Sequence, residues 1–115
     1  MSMTPLLGQD GRTLAFLTDR GRLISLEGRS IAWLREGHVY DYNSRHLGWW
    51  SNGHMRGPDG GVLIWQTGAT SLGVILPIPA IPPIPPIASI EPIRPIPDIP
   101  PIKPINRLGW STYAL

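Results

Sequence analysis

Asp10-Gly11-Arg12-Thr13-Leu14-Ala15-Phe16-Leu17 is written three more times along the first 68 residues. The copies are Glu27-Gly28-Arg29-Ser30-Ile31-Ala32-Trp33-Leu34, Asn43-Ser44-Arg45-His46-Leu47-Gly48-Trp49-Trp50 and Asp59-Gly60-Gly61-Val62-Leu63-Ile64-Trp65-Gln66, at spacings of 17, 16 and 16. A unit this short cannot bury its own apolar face, so repetition implies that neighbouring units cover one another. Each copy opens on an Asp-Gly-like pair, which suits the positive φ values of a two-residue type I′ turn. A second turn follows at Asp19-Arg20-Gly21, Glu36-Gly37, Asn52-Gly53 and Thr67-Gly68.

The segments between turns are about five or six residues long, rich in β-branched and aromatic types, and none has a helical period. The expected fold is therefore all-β: four pseudo-symmetric antiparallel hairpins, eight short strands in total, closing into a small shallow barrel. Closure removes the edges that an open meander would expose. Side chains alternate along a strand. Alternation predicts a core ring of Phe16, Trp33, Trp49 and Trp65, with Leu14, Ile31, Leu47 and Leu63 as a second ring on the same face. The opposite face carries Leu17, Leu34 and Trp50, with Tyr40 and Tyr42 nearby. That set is a candidate docking surface, because aromatics with a polar handle suit polyproline ligands.

The Gly-Arg-Xaa-(Leu/Ile)-(Ala/Gly)-(Phe/Trp) unit at Gly11, Gly28 and, in degenerate form, Ser44 resembles the four-fold β-flower family. The fourth unit departs, with Gly61 in place of arginine and Ile64 in place of a small residue. The resemblance spans residues 6–68 and continues to a Pro-rich tract ending in Trp110-Ser111. It implies a shallow, square, pseudo-symmetric β module followed by a Pro-rich tail, and it carries no activity with it.

The tail has its own rule. Isoleucine stands at every third position, at Ile75, Ile78, Ile81, Ile84, Ile87, Ile90, Ile93, Ile96, Ile99, Ile102 and Ile105, and twelve of the fourteen prolines lie between Pro77 and Pro104. Proline fixes φ near the polyproline II value and pushes its predecessor to the same region. Polyproline II has three residues per turn, so the isoleucines line one edge of a rod. Three regions result: a hairpin module over 1–70, the Ile/Pro tail over 71–107, and a C-terminal aromatic clasp over 108–115 centred on Trp110 and Tyr113. The clasp echoes Leu47-Gly48-Trp49, and pairing with a sheet edge is expected of it.

Composition narrows the functional classes. Nine arginines and one lysine stand against eight acidic residues, for a net charge of +2, with no basic run of the kind nucleic acid needs. There is no cysteine, which removes disulfides and thiolate metal sites. Residues 1–10 lack the pattern of a signal peptide, no apolar run reaches membrane-spanning length, and the cytoplasm is the default compartment. Arg22, His38 and His54 hold equivalent slots where a closed repeat could gather an anion or metal site, but solvated strand starts are the expected reading. Asp10, Glu27 and Asp59 are explained as turn caps, and Arg12, Arg29 and Arg45 as a solvated positive rim. Neither an enzyme nor a cofactor is expected.

The tail decides among what remains. Its 31 residues from Ile75 to Ile105 span about 90 Å as polyproline II, against a module about 30 Å across. Burying an isoleucine is worth roughly 1.5–3 kcal/mol, so the stripe requires a partner. The first expectation is a structural protein whose tail straps onto neighbouring copies, giving a homo-oligomer or filament. An adaptor whose tail binds SH3- or WW-like grooves through Pro-x-x-Pro spacings comes second. Peripheral membrane binding comes third, because the carbonyls of an unpaired rod make deep burial costly.

Overall fold

Short segments, tight turns and alternating apolar residues close into a ring. The computed structural model describes residues 2–115. Its strands are β1 (Met3–Leu7), β2 (Thr13–Thr18), β3 (Arg22–Ile24), β4 (Ser30–Arg35), β5 (His38–Tyr40), β6 (His46–Ser51), β7 (His54–Arg56) and β8 (Val62–Trp65), and no helix is present among the described residues. Each strand pairs antiparallel with the next, and β8 returns to β1 through Leu7 and Trp65, so the barrel is closed. The molecule is a flat square, 37 × 36 × 20 Å.

The register decides which residues face in. Cross-strand partners share a face, and Leu6 pairs with Ala15, Leu23 with Ala32, Val39 with Gly48, and Met55 with Ile64. All of these but Gly48 belong to one fully buried cluster. Phe16, Trp33, Trp49 and Trp65 lie one residue along, on the outer face, opposite Pro5, Arg22, His38 and His54. The ring expected in the core is buried, but on the outer side of the barrel wall. Eight short strands enclose too little volume for four large aromatics, so the slots next to them hold Ala15, Ala32, Gly48 and Ile64. At Gly48 even a methyl group would collide with the Arg56 carbonyl.

Leu14, Ile31, Leu47 and Leu63 do not share the aromatic face either. Each is the extra residue at a register shift, between the pairs Leu6/Ala15 and Leu7/Thr13 and their three equivalents. A β-bulge breaks alternation. Ile31, Leu47 and Leu63 accordingly pack on the inner cluster, while Leu14 stays half exposed.

The turns also differ from expectation. Gly8 donates its N–H to the Arg12 carbonyl and Gly11 donates to the Gly8 carbonyl, with the same pattern at 25–29, 41–45 and 57–61. These are three-residue loops, with positive φ only at the third position, Gly11, Gly28, Ser44 and Gly60. The type I′ geometry occurs at the other turns, where Glu36-Gly37 and Asn52-Gly53 both have positive φ throughout.

The tail wraps its own barrel. The amides of Ala80, Ser89, Asp98 and Arg107 donate to the carbonyls of Gly11, Gly28, Ser44 and Gly60 at 2.9, 2.9, 3.2 and 2.9 Å. The contacts fall every nine residues, one per hairpin. Nine extended residues cover about 28 Å, one quarter of the circuit. The expectation that a rod of about 90 Å outreaches its module compared length with breadth. Girth is the relevant measure, and a body 37 × 36 Å across has a girth of about 115 Å, the length of four nine-residue spans.

Glycine at these loops serves both φ and clearance. A Cβ on Gly28 or Gly60 would strike the carbonyl of Ile87 or Ile105. Ser44 alone carries a Cβ there, at φ 71, and its contact is the longest of the four. Gly28→Ala is expected to lower stability by about 1–3 kcal/mol and to make the tail sensitive to protease. Gly68→Ala, at φ +89 in open space, should cost less and leave the tail protected. Ser44→Gly should raise stability by about 1 kcal/mol through relief of left-handed strain. Thermal denaturation with limited proteolysis of the three variants checks all of this.

Candidate functional site

An aromatic ring on the outside of a barrel needs a cover, and the tail supplies it. Phe16, Trp33, Trp49 and Trp65 are 0, 3, 8 and 2 % exposed. Trp65 packs with Leu7, Val62 and Leu72, and with Val74, Leu76 and Trp110 from the two ends of the tail. The Arg94 guanidinium lies 5.6 Å from the Trp33 ring centroid.

Three arginines fasten the belt. Arg22 is buried and donates to the Ser89 carbonyl at 2.8 Å and to Ser30 Oγ at 3.3 Å. Arg94, on the belt, donates to Glu91 Oε2 at 2.8 Å and to the Arg20 carbonyl at 3.0 Å. The Tyr42 hydroxyl donates to the same Glu91 oxygen at 2.6 Å. Burial and the bond to Glu91 push the Tyr42 pKa up to about 12, so it remains a donor at every ordinary pH.

Arg56 closes the loop. Its Nη1 donates to the Gly60 and Arg107 carbonyls at 2.7 and 3.0 Å, and its Nη2 to Ser71 and Leu72 at 3.2 and 2.8 Å. Ser71 and Leu72 begin the belt and Arg107 ends it, so one 4 % exposed guanidinium joins both ends to a loop of the barrel. Beyond it, Val62 bridges Trp110 in parallel, and Asp59 accepts from Gly61, Ser111 and Thr112. Burial works to raise the Asp59 pKa, but these hydrogen bonds and the Arg107 charge outweigh it, and the carboxyl sits well below its usual range.

What the belt leaves outside is the stripe. All eleven isoleucines are between 90 and 97 % exposed, and Leu108, three residues after Ile105, is 84 % exposed. This apolar rim is the candidate functional site. A groove of about 360 Å³ lies apart from it, between the barrel mouth at Leu14, Ile31 and Leu63 and the terminal residues Trp110–Leu115.

The docking set drawn from the sequence does not form one surface. Leu17, Leu34 and Trp50 are half-buried against the inner cluster, Tyr40 is buried on the outer face against Trp33, and Tyr42 is held by the belt. Trp110 lies on β8, whereas Tyr113 is half exposed. Arg22, His38 and His54 face outward on different sides of the barrel and meet at no common point. His38 instead meets His46, with ring nitrogens 2.9 Å apart, and no group of three metal-ligating side chains occurs among the described residues. Arg12 and Arg29 are exposed and pair with Asp10 and Glu27, and Arg45 with Asp41.

The residues that position the belt carry a sequence signal that period three alone does not reveal. Two places after each isoleucine stands proline, except at Ala80, Ser89, Asp98 and Arg107. A free N–H is needed once per hairpin, and proline has none. The nine-residue spacing of those exceptions marks four contacts against four repeats. Arg56, by contrast, sits where the other units have Leu7, Ile24 and Tyr40, and only the meeting of the belt's ends explains it.

The family model described as "4-fold beta flower protein" matches residues 4–115, and the chain belongs to that family. The match includes the tail, beyond the 6–68 covered by the repeat itself. No curated protein and no solved structure matches the chain. No helix among the described residues is long and apolar enough to cross a membrane.

Arg56→Met removes four hydrogen bonds and leaves the Ser71, Leu72 and Arg107 carbonyls without that partner, an expected loss of about 3–5 kcal/mol in urea unfolding. Arg56→Lys should recover little of it, because one ammonium cannot reproduce the fork. Stability should also fall in acid. Burial, aided by the Arg56 charge, holds the pKa of His54 below 6.5, and neither ring nitrogen makes a well-formed hydrogen bond. Burial and His38 do the same to His46. The unfolded chain then binds more protons below pH 6.5, so stability is full above that pH and declines as the pH falls below it. Replacing His54 with leucine should flatten that decline. Asp59 adds a second loss as the pH falls below 3.8.

Proposed function

We propose that this member of the 4-fold beta flower family is a non-enzymatic assembly module whose isoleucine rim packs against the rims of other copies. The observation that supports it is the continuity and exposure of the stripe, at least 90 % for each of eleven isoleucines. At about 25 cal/mol per Å², the usual worth of an isoleucine corresponds to 60–120 Å² apiece. The rim then presents on the order of 1,000 Å², more than monomers ordinarily expose in one patch. A neighbour meets the isoleucine edge, because every side chain on it is at least 90 % exposed, whereas the other two edges are partly covered at Pro86, Ala88, Glu91, Arg94, Pro95, Pro97 and Pro104. This replaces strapping onto a neighbour's module with contact between rims.

The adaptor reading is weaker. Grooves that take Pro-x-x-Pro ligands commonly use a flanking basic residue, and Arg94 is already bound to Glu91 and Arg20. The exposed rim also suits a lipid surface, which makes membrane contact the second reading.

Sedimentation velocity across a concentration series tests the proposal. Wild type is expected to grow in mass with concentration. Changing Ile84, Ile87, Ile93 and Ile96 to serine should weaken that growth without changing the circular dichroism or melting temperature, because these side chains are exposed. Assembly by the variant equal to wild type contradicts the proposal. Co-sedimentation with anionic vesicles and no self-association would favour the second reading.

A further inference from the structure

The corner contacts at Ala80, Ser89, Asp98 and Arg107 cut the rim into edges. Ile81, Ile84 and Ile87 fall on one edge, Ile90, Ile93 and Ile96 on the next, and Ile99, Ile102 and Ile105 on the third. The fourth edge spans the seam. There Leu108 continues the phase of three, and Ile75 and Ile78 follow it where the belt begins. A Cβ on Gly73 would touch Leu108, so the two ends of the stripe meet. The rim is thus a closed circuit of twelve apolar side chains, three to an edge, all at least 84 % exposed. The charges on the second edge do not interrupt it, since Glu91 and Arg94 are bound to each other and to the barrel.

Resting on the assembly proposal above, we infer that each molecule joins up to four others edge to edge, forming a planar square array rather than a filament. Three features carry this. The four edges present the same apolar triplet, so a contact that suits one suits all. The stripe is one residue high on a body 20 Å thick and 37 × 36 Å across, which holds neighbours at a common level. One edge offers three isoleucine-sized side chains, about 200–350 Å². Two such faces bury well under the roughly 1,200 Å² of a stable specific pair. A lone dimer is therefore weak, and stability comes from several simultaneous contacts per molecule. The occupant of each edge is a second copy of this chain.

Negative-stain microscopy of the full chain, alongside sedimentation, tests the geometry. Wild type should give flat sheets with square order and a repeat near one molecular width. Serine at Ile81, Ile84, Ile87, Ile99, Ile102 and Ile105 removes two opposite edges and should convert sheets into single-file rows. Serine on the first edge alone should leave extended assemblies. Wild-type filaments, closed rings or arrest at dimer would overturn the array while leaving assembly through the rim intact. Loss of all assembly on changing one edge would overturn the equivalence of the edges. Wild type that stays monomeric at every concentration, with or without binding to vesicles, would overturn both proposals.

Discussion

A belt around a barrel is stable only if its ends are held, and here both ends are held by Arg56. The guanidinium takes carbonyls from Ser71 and Leu72 at the start of the tail, Arg107 at its end, and Gly60 on the loop between β7 and β8. Lysine offers a point charge, whereas arginine offers a planar fork whose donors match carbonyls arriving from separate directions. With the circuit closed, the outer aromatics are covered and the four corner bonds are brought into register. Without it, Trp65, Val62 and Leu7 would face water on the side where the tail both enters and leaves.

That dependence follows from how little the barrel can enclose. The interior takes small residues at β2, β4 and β6 and medium aliphatics on the shorter strands, while Phe16, Trp33, Trp49 and Trp65 are turned out. A module of under 70 residues gains limited stability from such a core. The second layer, between barrel and belt, adds the burial that the first lacks. Proline suits the outer element because it makes the free chain less disordered, which lowers the cost of laying it around the barrel. The bulges at Leu14, Ile31, Leu47 and Leu63 serve the same arrangement. They shift register beside the loops where the belt is anchored and send three of those side chains inward.

Much of this was legible in the sequence. Repeats at 17, 16 and 16 residues gave four hairpins, eight strands and closure, and the family resemblance agreed. Which face was the core was not legible, because alternation is symmetric and each face holds an apolar set. Only enclosed volume separates Ala15 and Gly48 from Phe16 and Trp49. The bulges were hidden as well, since a one-residue shift leaves composition unchanged while reversing a side chain. The course of the tail does not follow from its length set against the module's breadth. The exceptions at Ala80, Ser89, Asp98 and Arg107 held the correction, spaced to match the hairpins. Arg56 had no signal in its own unit, because three of its four partners lie 15, 16 and 51 residues downstream.

A tail that is extended, proline-rich and apolar invites description as a free ligand, yet it is a fixed part of the fold with its isoleucine edge outward. Amide hydrogen exchange reads this residue by residue. The account predicts slow exchange at Ala80, Ser89, Asp98 and Arg107, whose N–H groups bind the corner carbonyls, and fast exchange at the exposed isoleucines between them. Uniformly fast exchange from residue 75 to 107, with the barrel strands still protected, would contradict it.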